Sequence, residues 1–122
     1  KFLNNESPTI FGSGRQTRDY TYVGDVVELA MKTMTSKEVG IFNTGTCKET
    51  SINELIEVIQ KVGGFEKIEI KSGKARKGEV MRSALDCRKS MKTFNWKPHY
   101  TLSEGLAETI GWFKGQHDAH KK

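Results

Sequence analysis

The chain lacks long apolar runs and has few cysteines. No stretch approaches the roughly 18 consecutive apolar residues that a membrane-spanning helix needs. The N-terminus has no apolar segment followed by small residues, which argues against a signal peptide. The two cysteines, Cys47 and Cys87, are widely spaced and lack the partners of a zinc site, so we expect reduced thiols. These absences predict a cytoplasmic protein, and 122 residues suffice for one domain with a core, spanning 1–122.

Groups that could carry catalysis are scarce as well. No glycine-rich fingerprint lies between a strand and a helix, so the sequence predicts neither a dinucleotide site nor a P-loop. The histidines, His99, His117 and His120, have no metal-ligand spacing with carboxylates. No serine, cysteine or lysine lies beside an evident base. We therefore predict no catalytic, cofactor-binding or metal-binding residue in this chain and interpret it as a binding region.

The net charge of +5 is concentrated in one segment. Residues 61–92 contain ten basic and four acidic residues, whereas the rest of the chain has a slight acidic excess. A localised positive field suits phosphates, whether on a nucleotide or on nucleic acid. One alternative is therefore a small basic nucleic-acid-binding module, although the segment has few aromatic residues for base stacking. A solvated basic face and a non-catalytic remnant or assembly domain stay open as well.

One stretch, from Thr9 to Val26, combines several features that suit a phosphorylated ligand. The apolar pair Ile10-Phe11 predicts a strand. Gly12-Ser13-Gly14 predicts a turn after it, because glycine adopts positive φ readily. Polar and apolar residues then alternate over residues 19–23, which predicts a second strand. The guanidinium of Arg18 lies between the turn and this second strand.

Three capping boxes predict where three helices begin, since a side-chain oxygen at the N-cap accepts from a backbone N–H three residues on. The pairs are Asp25 with Glu28, Ser51 with Glu54, and Thr101 with Glu104. The first helix carries an apolar stripe that we expect in the core, made of Val27, Ala30, Met31 and Met34. Gly63-Gly64 ends the second helix. A fourth, short helix, capped by Asp86, carries Met91 and Phe94.

Further strands are predicted between these helices, at 40–45, at 67–71 and, briefly, at 84–86. Residues 72–78 are predicted to form a loop, and residues 117–122 a frayed polar tail. The alternation of strands and helices indicates an α/β fold, a small mixed domain of short strands and three to four helices.

Arg18 and Arg76 are the main binding candidates. Each follows or borders a glycine-containing turn, and arginine offers a planar fork of donors that suits a pyrophosphate. Glu79, directly after Gly78, can accept two hydrogen bonds from a sugar diol. The residues alone thus favour a site for a phosphorylated sugar or nucleotide.

Five pieces of the chain match one family pattern in order and in spacing, over nearly the whole chain. They are Ile10-Phe11-Gly12-x-Gly14-x-Gln16-x-Arg18-Asp19-Tyr20-x-Tyr22-Val23-x-Asp25-Val26, Phe42-Asn43-x-Gly45, Ser51-Ile52-x-Glu54-Leu55, Arg76-x-Gly78-Glu79-Val80, and Asn95-Trp96-x-Pro98 with Leu102-x-Glu104-Gly105-Leu106. This pattern resembles the substrate-binding part of the NAD-dependent nucleotide-sugar epimerases and dehydratases. These are extended short-chain dehydrogenases, and the pattern is of the UDP-glucose 4-epimerase type.

The resemblance implies a role for each of four residues. Phe11 would line the base pocket, Arg18 and Arg76 would hold the diphosphate, and Glu79 would hold the ribose hydroxyls. A UDP-sugar is the favoured ligand, and an ADP-linked sugar stays open. Glu79 stands where the family usually has aspartate, so its carboxylate is displaced by about one bond length. Cys47 replaces a common glycine, and Asn95 stands where the family usually has glycine between a leucine and a tryptophan.

The family's cofactor fingerprint and its catalytic Tyr-x-x-x-Lys belong to its N-terminal half and have no match here. Tyr20 and Tyr22 lack a lysine four residues on. The resemblance therefore implies a C-terminal nucleotide-sugar-binding domain whose N-terminal dinucleotide-binding half is absent. NAD would act in the full-length enzyme, with none bound by this chain alone, and we expect this chain by itself to be inactive. A homodimer is one possible assembly.

Overall fold

A computed structural model of the chain describes residues 1–119. Within this range the chain forms four α-helices and five strands of two or three residues, so the predicted small α/β fold is confirmed. A 3-10 turn at Phe2–Asn4 precedes them. The elements in chain order are β1 (Thr9–Phe11), β2 (Thr17–Arg18), α1 (Val23–Met34), β3 (Thr50–Ser51), α2 (Ile52–Gly63), β4 (Lys71–Gly73), β5 (Arg82–Ser83), α3 (Arg88–Phe94) and α4 (Leu102–Ala119).

The strands form two small sheets. β1 pairs in parallel with β4, with Thr9 opposite Lys71. β2 is the centre of the second sheet, antiparallel to β3 and parallel to β5. Because β1 and β2 are joined by the turn at residues 12–16, this turn links the two sheets.

Two of the predicted capping boxes are confirmed. Ser51 Oγ accepts from the backbone N–H of Glu54, whose carboxylate accepts from the backbone N–H of Ser51. Thr101 and Glu104 make the same pair of bonds before α4. The backbone and side-chain bonds from Ser51 lower the pKa of Glu54. The carboxylate therefore stabilises this helix start at neutral pH and loses that effect as the pH falls through its lowered pKa.

We expect Ser51→Ala to lower the free energy of unfolding by about 1 kcal/mol, because an N-cap oxygen is lost and the N–H of Glu54 is left without its partner. Chemical denaturation of the purified chain measures this. Ser103→Ala is the matched control, since Ser103 is an exposed serine in the first turn of α4. Equal stabilities of the two variants would contradict the role of the cap.

The third predicted capping box is wrong. α1 begins at Val23, two residues before Asp25, and its N-cap, Tyr22, makes no side-chain capping bond. Asp25 is instead buried, and its carboxylate accepts from the backbone N–H groups of His99 (2.8 Å) and Tyr100 (3.3 Å). Its partners lie more than 70 residues away, so local spacing gave no sign of them.

The strand bounds also differ from the prediction. Residues 19–23 hold no strand, because β2 ends at Arg18 and α1 starts at residue 23. β4 overlaps the predicted strand 67–71 only at Lys71 and takes two residues of the predicted loop, and β5 precedes the predicted strand 84–86. Within residues 1–119, the segment 40–45 forms no strand. The first and last residues of each observed strand are set by the strand with which it pairs. The periodicity of the sequence does not identify that partner.

The prediction that the apolar stripe of α1 lies in the core is wrong for this chain. Val27, Met31 and Met34 are exposed, Met34 by 77%, and Ala30 is exposed as well. The buried apolar side chains in the described part of the chain are few, namely Leu29, Cys87 and Trp96. α2 and α4 pack against each other, but the side of α1 that carries its methionines meets solvent.

The C-terminal helix is longer than predicted. α4 continues to Ala119 and includes His117, whose ring nitrogen Nε2 lies 2.9 Å from Asn4 Oδ1. The remaining part of the predicted polar tail, with His120, lies outside the described residues. Within residues 1–119, none of the helices has the length and apolar character of a membrane span.

Candidate functional site

A buried amide holds the turn between β1 and β2. Gln16 is only 5% exposed. Its Nε2 donates to the carbonyl oxygen of Phe11 (3.1 Å) and to Oε1 of Glu79 (3.3 Å). Gln16 thus joins two of the four predicted binding residues, although the sequence prediction assigned it no role. Its place in the family pattern was the one signal for it, since nothing in the local periodicity marked it as buried.

Phe11 and Arg76 are in direct contact. The guanidinium carbon of Arg76 lies 4.3 Å from the centre of the Phe11 ring, within the range of a cation–π interaction. The pairing of β1 with β4 brings this about, because Gly12 N–H donates to the carbonyl of Gly73, three residues before Arg76. Both side chains are exposed, so the pair presents an aromatic face and a positive charge to solvent.

Arg18 is anchored at one nitrogen. Its Nη1 donates to the carbonyl oxygens of Thr17 (2.7 Å) and Val80 (2.8 Å). Among the described residues, its Nε and Nη2 have no hydrogen-bond partner, so part of the donor fork is available. The bond to Val80 places Arg18 beside the backbone that follows Glu79, which is the end of the 76–79 turn.

Glu79 completes the group. It is half-buried, and its backbone N–H donates to the carbonyl of Arg76 at 3.4 Å, which closes the turn through Gly78. The structure therefore connects all four predicted residues. Phe11 touches Arg76, Glu79 reaches Phe11 through the amide of Gln16, and Arg18 is bonded to Val80. We call these five residues, Phe11, Gln16, Arg18, Arg76 and Glu79, the β1–β2 site.

Among the described residues, the two arginines of this site are not paired with carboxylates, in contrast to Arg82 and Arg88. Arg82 binds Glu49 with two nitrogens, at 2.9 and 3.0 Å, and Arg88 binds Asp86 in the same way. Hydrogen bonds from Arg82 and Thr17 lower the pKa of Glu49, and those from Arg88 lower the pKa of Asp86 to about 2. In the described part of the chain, Arg18 and Arg76 have no carboxylate partner, so their charges are not neutralised.

A second carboxylate, Asp19, organises the loop beside Arg18. Its oxygens accept from the backbone N–H groups of Thr46 and Cys47, both at 3.0 Å, and from the hydroxyl of Thr46. Gly45 is crowded against it, since a Cβ at Gly45 would lie 2.6 Å from Asp19 Oδ2. Asp19 therefore ties the end of β2 to the turn at 45–47, a role that the sequence prediction missed.

Among the described residues, the remaining polar groups form no comparable site. Within residues 1–119, no group of three or more metal-ligating side chains lies together. His99 pairs with Glu28 at 3.1 Å on the surface. An open cleft of about 360 Å³ lies between the start of α1, α2 and α4 and includes Leu55, Tyr100 and Leu106, with none of the five residues of the β1–β2 site in its wall.

Known proteins resemble this chain over almost its whole length. Residues 2–109 match the family model described as GDP-mannose 4,6 dehydratase. A putative UDP-glucose 4-epimerase of Methanocaldococcus jannaschii is 45% identical over 114 residues. That match covers 93% of this chain and 36% of the relative, so the chain spans little more than a third of that protein's length.

Solved structures of nucleotide-sugar epimerases are also similar to this chain. A UDP-glucose 4-epimerase of Thermotoga maritima, solved with UDP-glucose, has a TM-score of 0.88 and 36% identity over 94% of this chain and 37% of its own. A UDP-glucuronic acid 4-epimerase of Bacillus cereus, solved with UDP-glucuronic acid and NAD, has a TM-score of 0.84 and 28% identity over 93% and 37%. The resemblance drawn from the motifs is thus confirmed. The chain belongs to the family of nucleotide-sugar epimerases and dehydratases that the GDP-mannose 4,6 dehydratase model describes.

Proposed function

We propose that this chain binds the nucleoside diphosphate part of a nucleotide sugar at the β1–β2 site. The observation that carries the proposal is the pair of arginines without a carboxylate partner in the described chain: Arg76, which lies on the exposed ring of Phe11, and Arg18, which is bonded to the backbone after Glu79. A diphosphate carries enough negative charge for two guanidiniums, and charge-assisted bonds are the stronger class of hydrogen bond. The UDP-sugars bound by the related epimerases support a UDP-sugar as the ligand.

Each residue of the site has a distinct part in this proposal. The exposed face of Phe11 stacks on the base, and Arg18 and Arg76 bind the two phosphates. Glu79 accepts from the ribose hydroxyls. Gln16 holds the carboxylate of Glu79 and the backbone of Phe11 in place through its two hydrogen bonds.

Within residues 1–119, the glycines are not placed as they are in a dinucleotide site. Dinucleotide sites place glycines between a strand and the N-terminus of a helix. Here Gly12-Ser13-Gly14 leads from β1 into β2, and no glycine-rich strand-to-helix turn occurs within residues 1–119. We therefore assign the chain no step of hydride transfer. In the whole protein, we propose that this part holds the nucleotide while an NAD-dependent epimerase or dehydratase reaction takes place on the sugar.

The nucleic-acid alternative has less support. Three of the ten basic residues in 61–92 are engaged within the molecule outside the β1–β2 site, since Arg82 and Arg88 bind carboxylates and Lys89 lies 4.3 Å from the centre of the Phe42 ring. A groove that binds polyanions needs free charges in a row. In the β1–β2 site, Arg76 instead lies on the ring of Phe11, and Arg18 is hydrogen-bonded to the backbone at the end of the 76–79 turn.

Titration of UDP and UDP-glucose into the chain at fixed salt tests the proposal. Losing one charge-assisted bond of roughly 1.5–3 kcal/mol should weaken binding about tenfold or more for Arg18→Ala and for Arg76→Ala. Lysine should not restore binding at either position, because it lacks the planar fork. If the pair acts on one diphosphate, the double variant should lose no more than the larger single loss.

Arg88→Ala is the matched control, because it removes the same formal charge from an arginine that is paired with Asp86. It should bind UDP like the wild type. Binding by both single variants as tight as by the wild type would refute the two-arginine site. Tight binding of a single-stranded oligonucleotide that falls steeply with salt, without binding of UDP, would favour the nucleic-acid alternative.

A further inference from the structure

The two cysteines, 40 residues apart in sequence, are neighbours in space. The backbone N–H of Cys87 donates to the sulfur of Cys47 at 3.1 Å. Both are free thiols in the structure. The sequence indicated only that they were widely spaced, whereas the fold places one sulfur against the backbone of the other residue. A disulfide needs this kind of proximity.

The two thiols differ in access to solvent. Cys47 is exposed and lies in a shallow surface depression that also includes Leu85, Asp86 and Arg88. Cys87 is 0% exposed and occupies the position before α3. A small molecule can therefore reach the Cys47 sulfur from solvent, while Cys87 is shielded from it. This difference sets the order in which the two thiols can react.

The backbone at Cys47 is held in an unusual conformation. Its φ of 58° lies in the left-handed region, which non-glycine residues seldom adopt. In this conformation its N–H donates to Asp19, and its sulfur accepts from the backbone N–H of Cys87. Strained positions that the surroundings hold in place are frequent where a side chain has a particular use.

The buried position of Cys87 favours its protonated form, because burial raises its pKa. Burial raises the pKa of Cys87 to about 12, and the charge and thiol of Cys47 add to this effect. The part due to the charge of Cys47 disappears once its sulfur is covalently capped. The guanidinium of Arg88 lies close enough to the Cys47 sulfur to interact with it, although Asp86 is its main partner. Cys47 is the thiol that reacts first, because it is the exposed one of the two.

We propose that Cys47 and Cys87 form a reversible intramolecular disulfide by exchange with a low-molecular-weight disulfide of the glutathione type. The Cys47 thiolate attacks one sulfur of the small disulfide, whose S–S bond breaks and releases one small thiol. Cys87 then gives up its proton and attacks the Cys47 sulfur of the mixed disulfide, and the second small thiol leaves with that proton. Two cysteine thiols are oxidised by two electrons in total, and one small disulfide is reduced to two thiols.

The disulfide would fix the turn at 45–47 to the start of α3. Asp19 binds the same turn and directly follows Arg18 of the β1–β2 site. Oxidation would therefore restrain the loop beside the proposed nucleotide site, and reduction would release it. The disulfide itself is independent of whether the chain binds nucleotides, because it rests on the contact between the two cysteines.

The test is a titration of the whole chain with mixtures of reduced and oxidised glutathione, followed by an acid quench, alkylation and intact-mass measurement. We expect both thiols to become inaccessible to alkylation together, with the loss of two hydrogen atoms and one linked peptide after proteolysis. The thermal midpoint should rise on the order of 10 to 15 °C, because the bond closes a loop of about 40 residues. Excess reduced glutathione should reverse both changes.

Single variants distinguish the role of Cys47, which attacks the small disulfide, from that of Cys87, which closes the ring. Cys87→Ser should accumulate a mixed disulfide with glutathione on Cys47, and Cys47→Ser should stay unmodified because Cys87 is buried. Cys87→Ala replaces Cys87→Ser if the serine variant does not fold, as checked by circular dichroism. The proposal is overturned if the wild type keeps both thiols free at every glutathione ratio. It is overturned as well if glutathione stays on Cys47 without ring closure, or if the disulfide joins two chains.

Discussion

Replacing Asp25 by alanine is expected to lower the free energy of unfolding by about 3–5 kcal/mol. Asp25 is 1% exposed, and its two oxygens accept from the backbone N–H groups of His99 and Tyr100. Hydrogen bonds to a charged group contribute about 1.5–3 kcal/mol each, and the substitution leaves both donors without a partner inside the protein. It also removes the contact that ties α1 to the segment before α4.

Denaturant unfolding followed by circular dichroism measures this loss. Asp25→Asn keeps one oxygen acceptor and should lose about half as much. Glu57→Ala, which removes an exposed carboxylate from α2, is the matched control and should change the stability by less than about 0.5 kcal/mol. If Asp25→Ala were as stable as this control, the buried carboxylate would have no part in joining the two segments.

Replacing Gly14 by alanine should cost about 3 kcal/mol for two separate reasons. Gly14 has a φ of 70°, a conformation that costs a residue with a Cβ roughly 1–2 kcal/mol. A Cβ there would also lie 1.9 Å from Oδ1 of Asn53, so the Asn53 side chain would have to move and give up its bond to the carbonyl of Ser13. The loss of that bond adds about 1 kcal/mol or more.

Gly64→Ala separates these two contributions. Gly64 has nearly the same φ, 74°, but a Cβ there would meet no atom within 4 Å. This variant should therefore lose only the conformational part, about 1 kcal/mol, and the difference between the variants reports the crowding at Asn53. Equal losses in the two variants would show that Asn53 moves aside freely and that the turn is not tightly packed.

Local chemistry was sufficient for those parts of the fold that depend on residues close in sequence. The capping boxes at Ser51 and Thr101 were predicted and confirmed, because their partners lie three residues away. Gly64 was predicted to end α2 and does so with a left-handed φ. Cys47 and Asn95, which stand where the family commonly has glycine, both have positive φ in the structure. The family was predicted as well, since spaced motifs along a chain need no structure to be compared.

Packing between distant segments is what the sequence could not supply. The same short-range pattern, a capping residue three positions before a glutamate, predicted a cap at Asp25. In the structure Asp25 makes a buried tertiary contact with His99 instead. The periodicity of α1 predicted a core stripe, but an apolar stripe does not specify what covers it, and in this chain its residues are exposed.

The sequence by itself determined the four helices, two of their caps, the glycine turns, the family and the identity of four proposed binding residues. Only the tertiary structure decided the strand bounds, the place of Gln16 between Phe11 and Glu79, the contact of Arg76 with Phe11 and the meeting of Cys47 with Cys87. The physical reason is the range of the interactions. Caps and turns are set by bonds over three or four residues, whereas these contacts join segments that are distant in sequence and become neighbours only when the sheets and helices pack.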